Sequence, residues 1–240
     1  MKISFRMALR TLAMSPLTLL LSLPGGAIAS DCTGKSCHAI PAREVVVHVP
    51  FEQNECTSCH EPAPGFSAEN VHGPESFIGS PSSRERCGAC HGERAERTSG
   101  AFAHTPSGEG ECGLCHNGHY STIPDLLKAA YPPGMITVYG TAKYALCWGC
   151  HDTALATEKS TVTGTRFRVG KRNFHYSHLH KRRGMSCRTC HDAHGSGQPF
   201  AIRITAPEGS SGWSGEMIFK STNNGGRCIG GCHRDISYRP

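Results

Sequence analysis

All 14 cysteines of this 240-residue chain fall into seven close pairs, and the second cysteine of every pair is followed at once by histidine. Five pairs have two residues between the thiols: Cys56-x-x-Cys59-His60, Cys87-x-x-Cys90-His91, Cys112-x-x-Cys115-His116, Cys147-x-x-Cys150-His151 and Cys187-x-x-Cys190-His191. Cys228 and Cys232, before His233, have one extra residue between them, and Cys32 and Cys37, before His38, have two. Beyond an apolar leader, Leu, Ile, Val and Phe make up about 15% of the chain, below the roughly 20% under which an apolar core is hard to build. The formal charge of +6, or +3 without the three leader cations, is too small for the self-repulsion of a disordered tail. Cysteine and histidine must therefore organise what apolar side chains cannot.

Three chemistries use paired thiols. Zinc ribbons use C-x-x-C but need no histidine after the second thiol, and neither do redox dithiols. A disulfide framework also leaves the histidines unexplained. C-x-x-C-H is the attachment signature of c-type haem. Two thiols add across the two vinyl groups, one short turn matches the vinyl separation, and the adjacent imidazole becomes the proximal iron ligand. The 14 cysteines and His38, His60, His91, His116, His151, His191 and His233 then define seven haem c sites, or six if Cys32 and Cys37 form a surface disulfide.

Of the 15 histidines, eight are left as candidate distal ligands: His48, His72, His104, His119, His175, His178, His180 and His194. Bis-histidine ligation of every iron is therefore possible with one residue to spare. His48 and His104 share the register His-x-Pro-(x4)-Glu-Cys, ending at Cys56 and Cys112, and His178 and His180 precede Cys187 in a looser copy. After the first site of each unit come His72, His119 and His194, the last two within C-x-x-C-H-x-x-H. The reading is a secretory leader over 1–29, an N-terminal segment with one site over 30–43, and double-haem modules over 44–98, 99–160 and 161–240. Stacked repeats of this kind share a core that none could bury alone.

The chain resembles the multihaem c-type cytochromes with a doubled C-x-x-C-H motif. The resemblance rests on Phe174-His175-Tyr176-Ser177-His178, on Cys187 to Ser196 and on the closing cysteine pair, and covers about residues 44 to 237. It implies an electron carrier of anaerobic respiration. Its partners would be a quinol-linked donor and an outer-membrane or extracellular acceptor. The first unit departs from the pattern: Ala63 stands where His119 and His194 stand later, and His72 substitutes.

Lys2, Arg6 and Arg10, a short apolar stretch and a small-residue site ending at Ala29 read as a cleaved secretory signal. Export to the periplasm or cell surface follows, with no membrane span in the mature chain. The expected fold class is mostly irregular with small α segments and a short β-hairpin, built around closely packed haems. A strand is expected at Val45–Val47, helices over 141–157 and from Pro124 to Tyr131, a helical turn ahead of each other site, and a hairpin pairing Ala201–Thr205 with Glu216–Lys220. Seven haems would bring fourteen propionates, turning +3 into about −11. The basic residues Lys171, Arg172, Lys181, Arg182 and Arg183 are therefore read as propionate partners rather than a nucleic-acid patch.

A six-coordinate iron leaves no position for substrate, so outer-sphere transfer between low-potential haems is the expected function. Two alternatives stand beside it. A multihaem reductase would need one open iron, although no C-x-x-C-K marks one. A conductive filament, a homopolymer, would take a distal histidine from a neighbouring subunit.

Overall fold

The computed structural model describes residues 38, 45–67, 73, 76–78, 82–98, 100–182, 184–205, 216–230 and 232–240. The leader, Cys32, Cys37, His72 and Arg183 lie outside the described residues.

Helices stay short because almost every site sequence carries its own stop. Strand β1 (Val46–Val47) leads into α1 (Val49–Glu52), which has Pro50 in its first turn. A single 3₁₀ turn then holds Cys56–Ser58. Helix α2 (Ser83–Gly88) opens on a capping box between Ser82 and Glu85, and α3 (Gly92–Arg97) follows His91. Helix α4 (Thr105–Gly108) has Pro106 in its first turn, α5 (Cys112–Cys115) holds its own site, and β2 (Tyr120–Ser121) pairs antiparallel with β1. Residues 141–157, expected as one helix, form a 3₁₀ turn (Thr141–Tyr144), α6 (Ala145–Trp148) and α7 (Ala154–Thr157). The break falls over 149–153, where the His151 amide closes back onto the Cys147 carbonyl at 2.9 Å and turns the chain at the thiols.

Strands β3 (Arg168–Val169) and β4 (Arg172–Asn173) form a hairpin leading into α8 (Phe174–Leu179). Helix α9 (Cys187–Cys190) comes next, and a three-stranded antiparallel sheet of β5 (Ile218–Thr222), β6 (Gly225–Ile229) and β7 (Ile236–Tyr238) closes the chain. The expected hairpin exists with a different partner: β5 pairs with β6, carrying Cys228 on a strand, and the backbone bond between residues 201–205 and 216–220 is Met217 to Ile204. Short helices precede the sites at Cys56, Cys112 and Cys187, as expected. Both thiols lie within α5 and α9, whereas the turns at Cys56, Cys87 and Cys147 hold only the first thiol of each pair.

The apolar core is as small as the composition requires. Tyr144, Ala156 and Leu179 are buried together, with Tyr139, Trp148, Leu155 and Cys187 packed against them. Polar staples supply much of the remaining order. Buried Asn173 donates to the Leu155 and Glu158 carbonyls and accepts the His175 and Tyr176 amides, capping α8 and tying it to α7. Arg84 donates to Ala95, Thr98, Ser107 and Gly108, joining α2 to α3 and α4. Among the described residues no helix is long and apolar enough to cross a membrane.

Candidate haem-binding sites

Six of the proximal histidines stand opposite a second imidazole. Ring centroids are 6.1 Å apart for His48 and His91, 6.1 Å for His104 and His151, and 6.1 Å for His116 and His194. They are 6.5 Å apart for His175 and His191, 6.5 Å for His178 and His233, and 5.8 Å for His60 and His119. Four pairs are within 23° of parallel, and the other two are tilted by 38° and 39°. Two metal–imidazole bonds of about 2.0 Å, with a ring radius of about 1.1 Å on each side, call for roughly 6.2 Å. The pairs are thus spaced to clasp one metal rather than to stack on each other.

The nitrogen chemistry agrees. Nδ1 of His48 donates to the Gly118 carbonyl at 3.0 Å, Nδ1 of His116 to Asp125 at 2.8 Å, and Nδ1 of His178 to Phe174 at 2.7 Å. His191 and His233 donate in the same way to Phe200 and Arg234 at 2.9 and 2.7 Å, and His175 Nδ1 bonds to Thr165 Oγ1 at 3.1 Å. Fixing Nδ1 this way sets the tautomer and leaves Nε2 as the free donor a metal needs. Burial, helped by neighbouring histidines, holds His175 down at about 4 and pushes His60, His104, His119 and His191 below the ordinary histidine value. Neutral imidazole is the ligating form.

His180 differs. Its Nε2 sits on the Ala156 carbonyl at 3.0 Å, and its ring lies against Tyr176 at 3.9 Å and Tyr139 at 4.2 Å. The structure therefore gives this candidate a packing environment with its metal-binding nitrogen engaged. His38 is exposed and lies within electrostatic reach of His60 and His119.

The thiol pairs follow one another in chain order. Cys87 neighbours Cys59 and shares a hydrogen bond with Cys112, and Cys115 feels Cys147 and Cys150. Cys147 shares a hydrogen bond with Cys187, and Cys190 faces Cys228 and Cys232. None of the 12 described cysteines is in a disulfide. With paired imidazoles beside thiol pairs that form no disulfide, the side chains present fit covalently attached haem.

The elements that deliver these groups are duplicated. Residues 48–56 and 104–112 share a backbone hydrogen-bond pattern: Glu52 to His48, Gln53 to Val49 and Glu55 to Pro50 in one, Gly108 to His104, Glu109 to Thr105 and Glu111 to Pro106 in the other. Residues 112–128 and 187–203 share another. His116 Nδ1 and the Asn117 amide take the Asp125 and Leu126 carbonyls, as His191 Nδ1 and the Asp192 amide take those of Phe200 and Ala201. Ser121 Oγ and Ser196 Oγ donate to the Leu127 and Ile202 carbonyls at 2.5 and 2.6 Å. These bonds explain why Pro124 to Tyr131, expected as a helix, is a single 3₁₀ turn over Pro124–Leu126. Its carbonyls point back at the site loop instead of along a helix.

The two kinds of repeat interlock. His48 donates its amide to the His119 carbonyl at 2.8 Å while Val46 and Val47 pair with Ser121 and Tyr120. One unit on, Phe102 bridges Ser196 and Ser107 Oγ donates to the Ala193 carbonyl at 3.1 Å. The loops carrying His119 and His194 are thus held against the preceding unit and bring those rings to His60 and His116. Grouping ligands by module, as the sequence reading did, does not anticipate this exchange. It also missed Asn117 and Asp192, whose Oδ1 atoms each accept the amide of the histidine two residues on at 3.0 Å. Asn or Asp two residues before a histidine is the signal that could have found them.

No curated protein and no solved structure matches the chain. Residues 104–156 match the family model of the doubled CXXCH motif. That span holds two of the thiol-histidine sites and the His104–His151 pair, and the match supports a multihaem c-type cytochrome whose CXXCH motifs indicate covalently bound haem c.

Proposed function

We propose that this cytochrome is a self-contained heptahaem electron carrier of anaerobic respiration, each iron clasped by two histidines. Six imidazole pairs within one chain carry this reading. They favour it over a filament whose subunits borrow ligands and over a reductase with an open iron. His91, His151, His191 and His233 take their partners His48, His104, His175 and His178 from the same module, and His60 and His116 take His119 and His194 from the next. When bound, haem supplies one-electron redox chemistry, and ligation by two imidazoles lacks the thioether that raises the potential of His/Met cytochromes. The chain's own contribution is spacing, ligand orientation and exclusion of other ligands. Thiol neighbours in sequence order support a row of sites from Cys56 to Cys232.

The leader supports export to the periplasm or cell surface, where a quinol-linked donor and an outer-membrane or extracellular acceptor would meet the row. The intact mass of the mature holoprotein tests the count: seven haems on a chain beginning at Ser30 are expected. A mass of six or fewer overturns the heptahaem reading. Low-temperature electron paramagnetic resonance should then show only low-spin iron, and a stoichiometric high-spin signal would overturn bis-histidine ligation throughout.

A further inference from the structure

Helix α8 has two working faces. His175 and His178 point to His191 and His233, while Tyr176, Ser177 and His180 lie on the other side, as helical steps of about 100° require. That other side walls a surface cleft of about 510 Å³. Lys159, Arg172 and Lys181 also line it, and no acidic side chain does. Among the described residues none of these three cations is in an ion pair. Backbone pairing fixes two of them: Ser160 bridges Arg172, the Thr161 amide bonds to the Lys171 carbonyl at 2.8 Å, and the Asn173 amide bonds to Lys159 at 3.3 Å. Lys181 follows His180 at the C-terminal end of α8. Arg172 Nε reaches Ser177 Oγ at 3.5 Å, and its guanidinium lies over Phe174 at 5.7 Å, so the head is held at the cleft wall. His180, engaged with Ala156, is part of the wall.

We propose that this cleft is an anion-binding site for a carboxylate or oxyanion, coupled through α8 to the His178–His233 site. Three convergent cations with hydroxyls between them suit an oxyanion, since guanidinium and ammonium donors make the strong charge-assisted bonds. The link is geometric: Ser177, which lines the cleft, is adjacent to His178 in α8, and Lys181 follows three residues on, so the positive field of the cleft reaches that site. An anion in the cleft cancels part of that field. The anion has two possible sources, a free solute or a propionate of the chain's own haems.

Calorimetric titration of the holoprotein with inorganic phosphate, at ionic strength held constant with chloride, tests the free source. Phosphate is expected to bind, with affinity falling about tenfold for Arg172→Gln or Lys181→Gln and unchanged for Lys171→Gln. Redox titration adds the second arm: phosphate should lower one midpoint potential in the wild type and none in Arg172→Gln/Lys181→Gln. If phosphate does not bind but the double variant shifts one midpoint in phosphate-free buffer, a haem propionate fills the cleft. If phosphate does not bind and the double variant leaves every midpoint unchanged, the proposal is overturned. These side chains are exposed, so the variants should fold, as equal haem content and circular dichroism would verify. The calorimetric arm stands even if bis-histidine ligation does not.

Discussion

Residues 112–128 and 187–203 follow one backbone path with only six identities in seventeen positions: both cysteines, both histidines, Ser121 with Ser196, and Pro124 with Pro199. Even the unfavourable conformations coincide. Asp125 and Leu126 have φ of 59° and 56°, and Phe200 and Ala201 have 59° and 52°. Two consecutive non-glycine residues in the left-handed region cost roughly 1–2 kcal/mol each. Both loops accept this because those carbonyls are then turned toward the site, where an imidazole Nδ1 and an amide take them. A few polar contacts around the attachment sequence thus set the shape, and the apolar side chains between them vary.

The largest effect should come from the ligands that the two loops deliver. His194→Ala should leave the iron at His116 five-coordinate, and His119→Ala should do the same at His60. Each should convert one haem equivalent to high spin in low-temperature electron paramagnetic resonance. A variant that stays wholly low-spin would break the cross-unit assignment for that loop.

Next comes the position after each distal histidine, where the loops differ most. Tyr120 lies in β2 against Val47, while Gly195 adopts φ of 106° with its Cα against the 102–103 backbone. A Cβ there would lie 2.7 Å from Ala103 Cα. Gly195→Ala combines a disfavoured conformation with a backbone clash and should cost about 2–3 kcal/mol in denaturant unfolding of the holoprotein. Tyr120→Ala, with no such approach, should cost less. Equal losses would mean the two interlocks are held in the same way.

A smaller effect separates Asn117 from Asp192. Burial alone would raise the Asp192 carboxyl, but hydrogen bonds from His194 and the charge of Arg203, 3.1 Å away, outweigh it and hold the group at about 2. A depressed carboxylate stabilises the fold above its unfolded value near 3.8 and loses that stabilisation as pH falls toward 2. Asp192→Asn should therefore cost about 2 kcal/mol at neutral pH and flatten the acid limb of the stability curve between pH 4 and 2. Asn117→Asp should change little, because Lys128, at the position equivalent to Arg203, donates to the Gly113 carbonyl instead. An unchanged acid limb in Asp192→Asn would remove Asp192 from the account.

The same pair of loops shows what the sequence could disclose. The fixed elements were legible: the thiol pairs, the adjacent histidines, and the His-x-Pro register whose two copies fold alike. The segments after them were not. Pro124-Asp-Leu-Leu-Lys-Ala-Ala-Tyr131 has helical composition and Ala201-Ile-Arg-Ile-Thr205 has strand composition, so one path drew two different expectations. Local propensity decided both, whereas in the molecule side-chain bonds from Ser121 and Ser196 and the carbonyl exchange with each site override it. Which imidazole meets which was hidden for a related reason: the exchange depends on how one unit docks on the next, and docking has no signature within a single unit.

The finest distinction lies in the strained pair itself. Ala201 and Leu126 occupy equivalent positions at positive φ, but Ala201 is 9% exposed and its only side-chain atom is a Cβ. Ala201→Gly removes the steric penalty while giving up little packing, so the holoprotein should gain about 1 kcal/mol, offset in part by the greater freedom of glycine in the unfolded chain. Leu126→Gly relieves the same conformation but discards a larger apolar side chain, and should come out neutral or destabilising. Denaturant midpoints of the two variants decide the matter. A gain for Ala201→Gly with none for Leu126→Gly means that both loops store comparable backbone strain and differ in what surrounds it. If Ala201→Gly brings no gain, strain is not what the repeated loop balances against its carbonyl contacts, and the shared geometry rests on the serine and imidazole bonds alone.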